Sequence, residues 1–117
     1  MNLVCSDLPD GVRKIDLIGR MDIDGTNAVD LRLISLVATN KYDVIVDLSA
    51  LEFIASLGLS VLVQAAKTAS LRGGSLALLK PRPNVRKVLV STRIAERIPV
   101  YEELEQARAA LPSLAHR

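Results

Sequence analysis

Apolar and polar positions follow two different periods along this chain. Short β-branched or leucine-rich runs recur at Leu3-Val4-Cys5, 12–18, Val44-Ile45-Val46 and 75–79, each bounded by Gly, Pro, Asn or Asp. Such runs predict strands. Leu8-Pro9-Asp10-Gly11 supplies a tight turn, so the first two strands are expected to be antiparallel. Gly19-Arg20-Met21-Asp22 ends the second strand.

Between and after the strands, apolar residues recur at helical spacing. Val29, Leu33, Leu36 and Val37, widened by Leu31 and Ile34, predict a first helix over about 27–39, with Asp24 or Thr26 as its cap. This stripe is wider than one sheet contact needs; a fully buried face is the expectation, with part of it facing a partner as the alternative. A second helix starts at Ser56, carries Leu59, Leu62, Ala66 and Ala69 inward, and stops at Gly73-Gly74 in a left-handed turn. Pro81-Arg82-Pro83 opens a third helix that buries Val85, Val88 and Leu89. Ile98-Pro99-Val100 pairs weakly at an edge, because Pro99 has no N–H to donate. A last helix begins near Tyr101, with Glu102, Glu103 and Glu105 toward its positive dipole end and Tyr101, Leu104, Ala107 and Leu111 inward. The order predicts an α/β fold. It suits a mixed four- to five-stranded sheet with about four helices packed mainly on one face.

One stretch organises the rest. Val44-Ile45-Val46-Asp47 reads as a strand buried on both faces, and a short crossing then leads to Ser56 at a helix start. Strand-to-helix junctions are where α/β proteins place functional groups. Ser56 is expected at or beside the N-cap, its hydroxyl accepting a backbone N–H one turn in. The unsatisfied N–H groups there also suit a phosphate.

Composition narrows the class. The 117 residues fit one domain over 1–112, with a short flexible tail at 113–117. Half the residues are apolar but only 3% are aromatic, so the core is built from Leu, Val, Ile and Ala. A net charge of +2 does not by itself point to nucleic acid or an acidic membrane. Cys5 is the single cysteine, so no internal disulfide forms, and the only histidine, His116, lies in the tail. No run approaches ~20 apolar residues, and no signal peptide is apparent. The expectation is a cytoplasmic domain.

The residues of the organising stretch carry a resemblance. Asp47-Leu48-Ser49 and Phe53-Ile54-Ala55-Ser56-Leu57-Gly58-Leu59-Ser60 resemble the central motif of STAS domains, above all those of bacterial anti-sigma-factor antagonists. Their motif reads Asp-Leu-Ser, then Phe-Ile/Met-Asp-Ser-Ser/Thr-Gly-Leu-Gly. The resemblance covers nearly the whole chain, and Gly19-Arg20-Met21-Asp22 is similar to the family's Gly-x-Leu/Met-Asp exit. Three positions depart: Ala55 stands for the aspartate, Leu57 for the second hydroxyl residue and Ser60 for a glycine. Where antagonists end their third helix with Thr-Gly-Leu, this chain has Thr92-Arg93-Ile94. A left-handed arginine costs about 1 kcal/mol relative to glycine, so the chain is expected to turn differently there.

The resemblance implies phosphorylation at Ser56 and a partner-binding surface of Met21, Asp22, Ile23, Ala55, Ser56, Leu57, Gly58 and Ser60. It implies as partners an anti-sigma serine kinase of the GHKL ATPase type and a PP2C-type phosphatase, with no cofactor, and a weak homodimer is compatible with it. The alternative is an unswitched STAS scaffold or accessory subunit, of the stressosome or lipid-transport type, which loss of the aspartate at Ala55 would fit.

Other chemistries are weaker. No catalytic triad is available without a histidine in the body of the chain. Gly73-Gly74 lacks the Lys-Ser/Thr of a nucleotide loop. Asp22, Asp24 and Asp47 suit turn and helix caps better than a metal cluster. Lys80, Arg82, Arg86, Lys87, Arg93 and Arg97 form a basic cluster in sequence with Glu96 the only acid among them. It contains no aromatic residue for base stacking, so direct nucleic-acid binding is not expected, whereas a negatively charged protein partner is compatible.

Overall fold

The computed structural model describes residues 1–40 and 43–111; the expected tail at 113–117, with His116, lies outside them. β1 (Asn2–Asp7) pairs antiparallel with β2 (Arg13–Met21), Leu3 opposite Leu17 and Cys5 opposite Ile15. The turn between them closes through a bond from Leu8 N–H to the Val12 carbonyl (2.9 Å). β3 (Val44–Asp47), β5 (Leu76–Leu79) and β6 (Val100–Tyr101) then add in parallel, in the order β1-β2-β3-β5-β6.

The sixth strand corrects the expected count of four to five. Leu51–Ile54, read from sequence as part of a crossing, is β4, and it pairs in parallel with the far half of β2. β2 does not end at Gly19. That glycine takes φ +116, the register shifts beside it, and the strand continues through Arg20 and Met21 against Phe53 and Ile54. β3 and β4 thus serve successive halves of one long strand.

Period-two alternation assigns the two faces. Val44, Val46, Leu76 and Leu78 point into the larger core with Ile15 and Leu17, beneath α1 (Ile23–Ala38), α2 (Ser56–Leu71) and α3 (Pro83–Ser91). Ile45, Ala77 and Leu79 point the other way, where α4 (Leu104–Ala110) brings Ala107 with Leu111 beyond its end. The helices therefore lie mainly on one face, and the single short α4 covers part of the other. Burying these aliphatic side chains stabilises by roughly 1.5–3 kcal/mol each before entropy is counted.

Several boundaries differ from expectation for local reasons. α1 starts at Ile23, and its cap is Asp22, whose Oδ1 accepts the Gly25 N–H (2.8 Å), rather than Asp24 or Thr26. Gly25 reads as a helix breaker, yet a Cβ there would lie 1.9 Å from the Arg20 carbonyl oxygen, so glycine lets the helix begin this close to β2. The wide α1 stripe is not fully buried: Leu31 is 83% exposed. Arg93 does adopt the left-handed conformation (φ 63), against the expected alternative turn, and leads into a 3-10 turn at Ile94–Glu96. Its N–H bonds to the Val90 carbonyl (3.0 Å), and Ile94 beyond it is buried in the core. The last strand is Val100–Tyr101 rather than residues 98–100, and α4 starts three residues after Tyr101. Gly73 does supply the left-handed stop of α2 (φ +86), with Gly74 N–H returning to the Ala69 carbonyl.

Candidate functional site

Two chain crossings meet at one end of the sheet. β2 runs directly into α1 through Asp22, and β4 runs directly into α2 through Ala55. The Ala55 N–H donates to the Met21 carbonyl (2.9 Å), which extends the β2–β4 ladder to the first residue before α2. Gly58 sits in the first turn of α2 against Met21: a Cβ there would lie 2.9 Å from Met21 Cβ and 2.9 Å from Ile54 Cγ1. The start of α2 is thereby held on the fully buried Met21.

Ser56 is the first residue of α2 and is exposed. It is not the cap. Ala55 occupies that place with extended backbone (φ −101, ψ 178), so Ser56 lies beside the cap, one of the two expected positions, and the side-chain capping bond expected there is not made. The first bond within this turn runs from Leu59 N–H to the Ala55 carbonyl (3.0 Å), leaving the preceding N–H groups of the turn without a helical acceptor. No acidic side chain occupies the first turn, so the positive end of the dipole is not offset there.

The other expected site residues divide into buried supports and exposed contacts. Met21 and Gly58 are buried, while Ile23, Leu57, Ser56 and Ser60 are exposed, with Ala55 and Asp22 between. Ile23 is 66% and Leu57 39% exposed, unusual values for large apolar side chains at helix starts. On the β2 side, Arg20 stacks over the Phe53 ring at 4.5 Å and borders a shallow cleft of about 460 Å³ shared with Asp22, Asp24 and Glu52.

The basic run is dispersed by the fold. Arg82 Nε donates to the Ser49 carbonyl (3.0 Å), Arg86 pairs with Glu102, and Arg93 Nε lies 4.0 Å from Glu96. Arg97 lies instead in a groove beside α2 with Lys67. Sequence reading grouped it with its chain neighbours and missed Lys67, because nothing in a 30-residue separation signals that approach. Of the three aspartates, Asp22 and Asp24 border the cleft beside Arg20, and Asp47 does not. Asp22 caps α1, while Asp47 accepts the Ser49 N–H (2.8 Å) and pairs with Lys14 (3.1 Å). Among the described residues no group of three or more His, Cys, Asp or Glu is placed to hold a metal ion.

A strand-fed serine at a helix start, within a mixed sheet of this order, defines a class that comparison with known proteins identifies. The STAS domain family model matches residues 7–107, and the chain belongs to that family. A Thermotoga maritima protein assigned as an anti-sigma factor antagonist superposes with a TM-score of 0.84 at 22% identity, covering 94% of each chain. An anti-sigma factor antagonist from Mycobacterium paratuberculosis gives 0.83 at 24% identity, covering 95% of this chain and 93% of its own. The Bacillus cell fate determinant SpoIIAA in its phosphorylated form gives 0.69 at 17% identity, covering 92% and 97%. A comparison with curated protein sequences gives no match. Among the described residues no helix is long and apolar enough to cross a membrane.

Proposed function

We propose that this STAS domain is an anti-sigma-factor antagonist of the partner-switching type, a binding module rather than an enzyme, working in the cytoplasm. Its unmodified form binds an anti-sigma serine kinase of the GHKL ATPase type, phosphorylation of Ser56 releases it, and a PP2C-type phosphatase resets it. The observation that carries this reading is Ser56 itself: exposed, first in α2, and fixed by the Met21–Ala55 bond beneath it. Similarity to an antagonist solved in its phosphorylated form supports it.

The physics of release is direct. Phosphate adds about −2 charge, which the free N–H groups and dipole of α2 stabilise locally. A partner seated on the exposed Leu57 and Ile23 would have to bury that charge, and its affinity falls. Met21 and Gly58 support the surface from below; Asp22, Ile23, Ala55, Ser56, Leu57 and Ser60 form it.

Ala55 favours a second reading. It offers no carboxylate beside the acceptor hydroxyl, as expected of an unswitched scaffold. Incubation with the kinase and ATP, followed by intact mass and site mapping, separates the two. Phosphate on Ser56 is the expected result. Ser56→Ala should keep kinase binding and resist modification, whereas Ser56→Asp should weaken binding; if both bind like the unaltered protein, the switch is wrong.

A further inference from the structure

An open groove runs along the flank of α2 that faces the 3-10 turn. Leu59 and Val63 form its floor on one side, and Ile94 and Ile98 on the other; Val63 is partly exposed, while the other three are core residues that reach the groove only by their edges. Its two adjoining sections hold about 450 and 200 Å³. Two cations stand over this apolar floor, Lys67 from α2 and Arg97 from the end of the 3-10 turn. Both are exposed. The ion pairs among the described residues engage Arg13, Lys14, Arg20, Arg86, Arg93 and Arg108, and neither Lys67 nor Arg97.

We propose that this groove docks an acidic amphipathic helix of a partner protein, its apolar side on Val63, Ile94 and Ile98 and its carboxylates between Lys67 and Arg97. Leu59 to Ser70 covers twelve residues of α2, about 16 Å along the axis at the helical rise, which matches a three-turn helix. An open trough suits a helix face better than a small ligand, which sites normally enclose. The two cations contribute charge complementarity, and the helix they attract carries the opposite sign.

This surface lies beyond the Ser56 reading yet is continuous with it. Ser56, Ser60, Val63 and Lys67 recur at steps of four, three and four, so they share one stripe of α2. A docked helix extended by one turn would reach Ser56, where phosphate repels the same acidic segment that Lys67 attracts.

The test uses the full chain, isotope-labelled, and a capped helical peptide of about 14 residues with Leu on one face and paired Glu beside it. The expected result is saturable shifts in the amides of Ser60, Val63, Lys67 and Arg97. Lys67→Glu with Arg97→Glu should weaken binding at least about tenfold, and a peptide with Lys in place of Glu should regain it. This readout needs no phosphate on Ser56 and no kinase, so failure of the switch and failure of the groove remain distinguishable. Shifts that map elsewhere, binding indifferent to charge reversal, or no shifts at millimolar peptide would overturn the proposal. Decanoate moving the same amides where the peptide does not would also overturn it, assigning the groove to a small amphipathic anion.

Discussion

The Ala55 N–H donates to the Met21 carbonyl across 2.9 Å, and through that bond the ends of two strands set the starts of two helices. The β2–α1 and β4–α2 junctions are therefore tied to each other. Gly58 completes the joint from α2, since there is no room for a side chain between it and Met21 or Ile54.

Gly58→Ala tests this joint. Alanine would ordinarily favour a helix interior by about 1 kcal/mol. Here its methyl meets Met21 Cβ and Ile54 Cγ1, neither at the free end of a flexible chain, and overpacking of this kind costs about 1–3 kcal/mol. The net expectation is a loss of about 1 kcal/mol in denaturant unfolding, together with displaced amide resonances for Ala55, Ser56 and Leu57. A gain in stability with those resonances unmoved would show that α2 does not rest on Met21 in this way.

Much of this arrangement was legible because burial on a regular period leaves a mark in sequence. Val44-Ile45-Val46-Asp47 and the α2 stripe are such cases, and the fold class followed from them. β4 was not legible. Only Leu51 and Ile54 of its four residues are buried, and its partner is the far half of β2, 32 to 33 residues earlier. Asp22 was read as a turn or helix cap but not as the cap of α1, because a helix start ahead of Gly25 is not expected when the nearby Arg20 carbonyl is unknown. The expected site residues came from the motif resemblance. Their division into supports and contacts needed coordinates, as did the meeting of Lys67 with Arg97.

Among the described residues three carboxylates are held below their ordinary value, and of these Asp10 and Asp47, less exposed than Asp7 beside Arg13, should carry acid unfolding. Burial pushes Asp10 up, but the hydrogen bonds from Arg108 and the Val12 N–H, with the guanidinium charge, outweigh it and hold the group below its ordinary value. Burial likewise pushes Asp47 up, and bonds from Ser49 and Lys14 more than offset it. A carboxylate depressed in the folded state contributes stability above its unfolded pKa, about 3.9, and loses it as pH falls through the folded value. Thermal stability should therefore hold between neutrality and about pH 5 and decline below about pH 4. Asp10→Asn and Asp47→Asn should each lower the plateau and flatten the acid limb. An acid limb unchanged in both variants would assign acid unfolding to other groups.

Arg93→Gly should stabilise. Arg93 holds a left-handed φ of 63 with its side chain largely exposed, so the backbone cost is not repaid by burial. Glycine removes a penalty of about 1–2 kcal/mol and returns part of it as unfolded-state entropy. The net gain expected is about 0.5–1 kcal/mol, read from the denaturant midpoint at constant slope. A loss would mean that the weak contact with Glu96 outweighs the strain.

Ala55→Asp separates two roles that one carboxylate could play beside Ser56. Ala55 is the N-cap of α2, with extended backbone and no side-chain bond, so aspartate there can accept the N–H of Leu57 or Gly58. That should add about 1 kcal/mol of stability, worth roughly 4 °C in Tm for a domain of this size. The same carboxylate stands next to the Ser56 hydroxyl, where it can orient the acceptor or take its proton. Positioned acid–base assistance contributes about 10²–10⁴ in rate, less where the kinase supplies its own base. Ala55→Asn divides the effects, because asparagine caps as well but is no base. Both variants should raise Tm, and only Ala55→Asp should raise the phosphorylation rate. Equal rates in the two would reduce the carboxylate to a cap. Abolition of modification by Ala55→Asp, with the fold intact, would show that the alanine is fitted to its kinase, since aspartate there would also compete with the incoming phosphate for the N–H groups of α2.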